Sequence, residues 1–147
     1  MDYFLLIDKL INGQCWIMDI LPCQVPKDSA GQYFAADRYF RQPERLKALY
    51  RRFAETFLKV NCYYEMAVSF DGGKNWTVNP DPEEFVQKTA GLSAGSYLRI
   101  VIASEEVLID LDPQDTYATV YCTDGELPGL ITEIAVREGF FIWKQYE

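Results

Sequence analysis

At 147 residues, with 49% hydrophobic and 24% charged side chains, the chain can bury a core without disulfide or metal staples and is not a disordered polypeptide. Its net charge of -8 is unevenly spread: residues 1–60 hold seven acids and nine bases, residues 61–147 fifteen acids and five bases. That field repels nucleic-acid phosphates and anionic membrane, which excludes both as expected partners, and it steers a basic protein.

Taken in chain order, "YFLLIDKLINGQCWIMDIL" holds two apolar runs around Asn12-Gly13. Asn-Gly suits a type I′ turn, so Tyr3–Ile11 and Gln14–Leu21 read as an opening hairpin, with a helix over residues 3–11 as the competing reading. The opening residues carry no basic leader and their apolar run breaks at Asp8, so no signal peptide is expected. No apolar run reaches the ~20 residues that span a bilayer. "PCQVPKDSAGQ" is a punctuated loop, and "YFAADRYF" is ambiguous, with a short edge strand as its reading.

"PERLKALYRRFAETFLKV" is a helix, because Leu46, Leu49, Tyr50, Phe53, Phe57 and Val60 recur at three- and four-residue steps. Pro43 suits its first position, and Arg45, Lys47, Arg51, Arg52 and Lys59 fall mostly off the apolar stripe, forming a solvated face that pairs with the chain's own acids. "CYYEMAVSF" and "NWTVN" form a second hairpin. "DPEEFVQKTAG" is a short helix, with Asp81 as N-cap, Pro82 inside and Gly91 past its end. "YLRIVIA", "EVLIDLD" and "TYATVYC" alternate with period two, as strands do. "PGLITEIAVREG" gives a further helix and "FFIWKQY" a closing strand. The order implies one α+β domain over residues 1–147, with a largely antiparallel sheet and about three helices.

The turn of the second hairpin, "SFDGGKNWT", carries Ser69, Asp71, Gly73 and Trp76 at the spacing of an Asp-box. Over these nine residues the chain resembles one repeat of sialidases and related propellers. In those proteins the aspartate ties the loop to its own backbone, the aromatic packs beneath, and the motif stands away from the active site. A propeller needs several copies, so here the resemblance implies a rigid structural turn.

With no histidine, neither a Ser-His nor a Cys-His pair can be built, and zinc sites using imidazole are excluded. Cys15, Cys23, Cys62 and Cys122 show no CxxC pairing and read as reduced thiols of a cytoplasmic protein, several of them buried. Phosphate-loop and dinucleotide fingerprints are missing, and "DLDPQDTYATVY" breaks the EF-hand spacing at Pro113, Ala118 and Tyr121. No catalytic residue, cofactor or metal is therefore expected.

What stands out is the polar side of the three alternating strands. If the strands are adjacent, one face is apolar and the other displays Tyr97, Arg99, Asp110, Asp112, Tyr117, Thr119 and Tyr121. Tyrosine and arginine among carboxylates is the composition of a contact surface, and also of an open sheet face in water. The preferred reading is a small acidic binding protein that docks a basic protein partner there, in general character like the immunity proteins of bacterial toxin systems. A second reading is a histidine-free enzyme using carboxylates from Asp110, Asp112 and Glu106 on a sugar or similar polar substrate. A third is a homo-oligomer built through exposed Phe140 and Trp143 on the last strand. The oligomeric state is left open.

Overall fold

In the computed structural model, which describes residues 2–123 and 126–145, the chain opens on a helix. Tyr146, read above as part of the closing strand, lies outside the described residues. Asp2 accepts from the Phe4 amide at 2.9 Å and so caps helix α1, Tyr3–Ile11, which buries Ile7 and Leu10. This corrects the hairpin reading. Asn12-Gly13 does not form a type I′ turn, since neither residue has a positive φ. Gly13 serves a different need: a Cβ there would stand 3.2 Å from the Cys122 carbonyl oxygen.

Strand β1, Gln14–Asp19, follows at once. After a short 3-10 turn at Lys27–Ser29 comes helix α2, Ala30–Phe40, in place of the expected loop and edge strand. Helix α3 is Pro43–Asn61, strand β2 Ala67–Ser69, strand β3 Thr77–Val78 and helix α4 Pro82–Ala90. Strands β4 (Leu98–Ile102), β5 (Val107–Leu111) and β6 (Ala118–Cys122) precede helix α5 (Gly129–Arg137) and strand β7 (Phe141–Lys144). The fold is α+β, and the described residues form five α-helices where about three are expected. The seven strands among them make one antiparallel sheet, larger than the separate hairpins and meander of the sequence reading.

The strand order is β3-β2-β4-β5-β6-β1-β7. Period-two alternation sends Leu98, Ile100 and Ile102, then Val107, Ile109 and Leu111, then Ala118, Val120 and Cys122, to one face. Helices α3, α4 and α5 cover that face. Leu49, Tyr50, Phe53, Phe57 and Val60 of α3 are all buried against it, and the Phe53 ring stacks on Phe140 at 4.3 Å and on Phe57 at 5.9 Å. Burying one such side chain is worth about 1.5–3 kcal/mol, so this face dominates stability. Phe140 is therefore a core residue at 1% exposure, which corrects its reading as an exposed contact. Gly139 (φ +92°) makes the tight exit from α5 that delivers it.

The opposite face is covered in part. Helix α1 lays Ile7 and Leu10 on Val101 and Leu108. Helix α2 stands beside the other end of this face, and none of its described side chains is buried. It is tied at its end by Arg41, which donates to the Asp37 carboxylate and to the Gln114 carbonyl. Of the four cysteines, Cys122 is buried, Cys15 half-buried, and Cys23 and Cys62 exposed.

Candidate functional site

Antiparallel pairing in register places directly opposed residues on the same side of a sheet. Ser69 opposes Arg99, Arg99 opposes Asp110, Asp110 opposes Thr119, Thr119 opposes Ile17, and Ile17 opposes Trp143. A single row thus crosses the sheet on the side away from α3. At its centre Arg99 holds Asp110 by two hydrogen bonds, Nε to Oδ1 at 2.9 Å and Nη2 to Oδ2 at 3.0 Å. Tyr97 stands beside the pair, its ring 5.5 Å from the guanidinium carbon, and burial together with Asp110 pushes its phenol well above the usual range. Tyr121 lies one row towards α1, with its phenol also raised by burial.

The structure brings together Tyr97, Arg99, Asp110, Thr119 and Tyr121, and separates the other two residues of the expected face. Strand β5 ends at Leu111, so Asp112 sits in the following turn, where its carboxylate accepts from the Gln114 amide at 2.9 Å. The buried Tyr50 hydroxyl pins that turn, its one proton directed between the Asp115 carbonyl at 2.6 Å and the Asp112 carbonyl at 3.1 Å. Tyr117 stands before β6 and turns towards α2. Glu106, with φ +50°, accepts from Lys9 at 3.2 Å and from Thr123 at 2.7 Å, which holds its carboxyl below the usual range. Asp110, Asp112 and Glu106 are thus each engaged by the chain's own donors and do not face one another across a cavity.

The turn after β2 is braced from within. Asp71 accepts from the amides of Lys74 and Asn75, from the Asn75 side chain and from the Ser69 hydroxyl, and these bonds hold its carboxyl far below the usual range. Gly72 and Gly73 take positive φ, and the Trp76 indole donates to the Gly73 carbonyl at 3.0 Å while its ring packs on Tyr3. A smaller hollow of about 410 Å³ lies between this turn, α1 and Arg99.

A larger concavity lies elsewhere, between α2, the 20–29 segment and the β1–β7 end of the same sheet face. It is a groove of about 600 Å³ whose lining is mostly apolar and aromatic. Tyr33, Phe34 and Phe40 come from α2, Tyr117 from the approach to β6, and Trp143 from β7. Trp143 is fixed by donating its indole N–H to the Leu21 carbonyl at 3.1 Å. Asp19, the last residue of β1, also lines the groove at 8% exposure. Its Oδ1 accepts from the Ile20 amide at 2.7 Å, and burial pushes its carboxyl up despite the amides of Ile20 and Leu21. No Lys or Arg of the described residues forms an ion pair with it. Burial likewise raises the phenols of Tyr33 and Tyr117.

Apart from Tyr117 and Trp143, sequence reasoning missed this groove. Its one available signal is the aromatic pair Tyr33-Phe34 with Asp37 and Phe40, four and seven residues after Tyr33, in a segment whose conformation was ambiguous. A pocket of this size, apolar and with a few converging polar groups of shifted acidity, is the ordinary form of a binding site. Among the described residues no cluster of three potential ligands could hold a metal, and no helix is long and apolar enough to cross a membrane. No family model, curated protein or solved structure matches the chain, so the reading of this site rests on its geometry.

Proposed function

We propose that this chain is a small binding module whose groove beside α2 receives a basic, partly apolar segment of a protein partner. The observation that carries the reading is the groove itself. It combines aromatic walls from three separate elements with a buried carboxylate that has no cationic partner among the described residues. Aromatic side chains give large contact area at small entropic cost, and a net charge of -8 favours the approach of a basic partner. The role of an immunity-type antagonist, acting in the cytoplasm, is the form of this proposal that agrees with the acidic composition. The Arg99–Asp110 row then forms the floor adjoining the groove and contributes rigidity more than contact.

The test is an NMR titration of the 15N-labelled protein with two short peptides, one alternating Leu with Lys and one alternating Leu with Glu. The expected result is shifts of Tyr33, Tyr117 and Trp143 with the basic peptide only, weakening as salt is added. Equal binding of both peptides, or shifts confined to α3 and α4, would overturn the assignment.

A further inference from the structure

We infer that Asp19 is the seat for a single alkylammonium group, with the aromatic walls of the groove holding the apolar body that carries it. This rests on the groove being the binding site and goes further by naming the chemistry at its floor. The argument starts from what Asp19 lacks. An ionised carboxylate taken out of water is expensive unless a cation or several donors replace the lost hydration. On the same sheet face Asp110 has a bidentate arginine, whereas among the described residues Asp19 has backbone amides alone.

The other charged groups around the groove do not supply the missing cation. Arg41 is committed to the Asp37 carboxylate at 2.7 Å and to the Gln114 carbonyl. Lys27 lines the exposed margin and makes no ion pair with Asp19. Tyr33 and Tyr117 face the site with raised phenols that stay neutral at ordinary pH, and Asp115 adds a further acid near Tyr117. The site is therefore negative at its floor and aromatic at its walls. An anion is repelled. A neutral apolar guest strips more water from the carboxylate and offers nothing in return. An ammonium on an alkyl chain compensates the charge, and its flank meets Tyr33, Phe34 and Trp143 through dispersion and cation–π attraction. A lysine side chain of a bound protein segment has this chemistry.

The experiment uses three probes with the same six-carbon body: hexylammonium, hexanol and hexanoate. Titration into the wild-type protein, read at the Trp143 indole N–H and the amides of Tyr33 and Tyr117, is expected to give hexylammonium at least about tenfold tighter than hexanol, with no hexanoate binding. Asp19→Asn keeps an oxygen acceptor for the Ile20 amide and removes the charge, and it should weaken hexylammonium by about tenfold or more without weakening hexanol. In the wild type, hexylammonium affinity should fall on acidification as Asp19 takes up its proton, at a higher pH than for an exposed aspartate, which tests the idea in the absence of any variant. Equal binding of hexylammonium and hexanol, no binding by any probe, or an unaffected Asp19→Asn would each overturn the seat. If the Lys-Leu peptide still shifts the groove while hexylammonium does not, the seat is wrong and the binding module stands. If neither shifts it, both fall.

Discussion

Asp110 and Asp19 lie on the same face of the same sheet, 5% and 8% exposed, two strands apart. The chain gives the first a forked arginine on the adjacent strand, a neighbouring tyrosine and a place in the middle of a cross-strand row. It gives the second two backbone amides and an open groove. Burial alone therefore does not mark a functional carboxylate. The distinction is whether the fold itself supplies the counter-charge, and here the self-sufficient site is the one that composition points to, while the incomplete one is the better place for a ligand.

The sharpest way to break this comparison is to take the partner from Asp110's side. Asp110→Ala leaves Arg99 half-buried without a carboxylate and should cost about 3 kcal/mol in urea denaturation. Replacing both partners by apolar residues of similar volume, Arg99→Met with Asp110→Leu, should return to within about 1 kcal/mol of the wild type, since the desolvation of both charges disappears together. A double variant as unstable as Asp110→Ala would mean that the pair organises the sheet beyond its own energy.

Asp19→Asn should behave in the opposite sense. Its carboxyl is raised above the unfolded value by burial, so the folded protein binds its proton more tightly than the unfolded chain does. Wild-type stability contributed by this group is then full below the unfolded pKa and declines as pH rises towards the folded one. Asparagine does not titrate, so the variant should match the wild type at low pH and gain slightly at neutral pH, which a series of urea midpoints against pH will read. A clear loss at neutral pH would show that Asp19 is there to hold the Ile20 turn. The smallest effect belongs to the groove wall: Phe34, 59% exposed, should change stability by less than about 0.5 kcal/mol on replacement by Ser, while weakening the basic peptide.

How much of this was legible in the sequence varies by element. The α3 stripe and the three alternating strands announce themselves, because each writes its burial pattern into a local period. The opening helix carried the same sign, with Tyr3, Leu6, Ile7 and Leu10 at helical steps, yet Asn12-Gly13 invited a hairpin. The glycine is there for the approach of the Cys122 backbone, a contact with a strand far along the chain. Helix α2 buries none of its described side chains, so it has no stripe to read. The Arg99–Asp110 row could be drawn from period two alone, whereas Asp112 was misplaced on it by extending the alternation past Leu111, although the Asp112-Pro113 step marks a turn there. Asp19 was invisible as a site: its isolation arises where β1, the approach to β6, α2 and β7 converge.

The place of β1 between β6 and β7 also bears on how the protein is made. Its residue Trp16 pairs with Val120 on one side and Lys144 on the other, partners that leave the ribosome more than a hundred residues later. Helix α1 likewise waits for Val101 and Leu108 before its apolar face has a surface to cover. Until residues 101–144 have emerged, this helix and strand are thus an exposed apolar hook with two unpaired edges. Such distant pairing makes folding slow, on the order of milliseconds to seconds once the chain is complete. The hook is where a holdase chaperone has most to protect, and a nascent chain halted before residue 141 would carry β1 as an open edge, ready to pair with another copy.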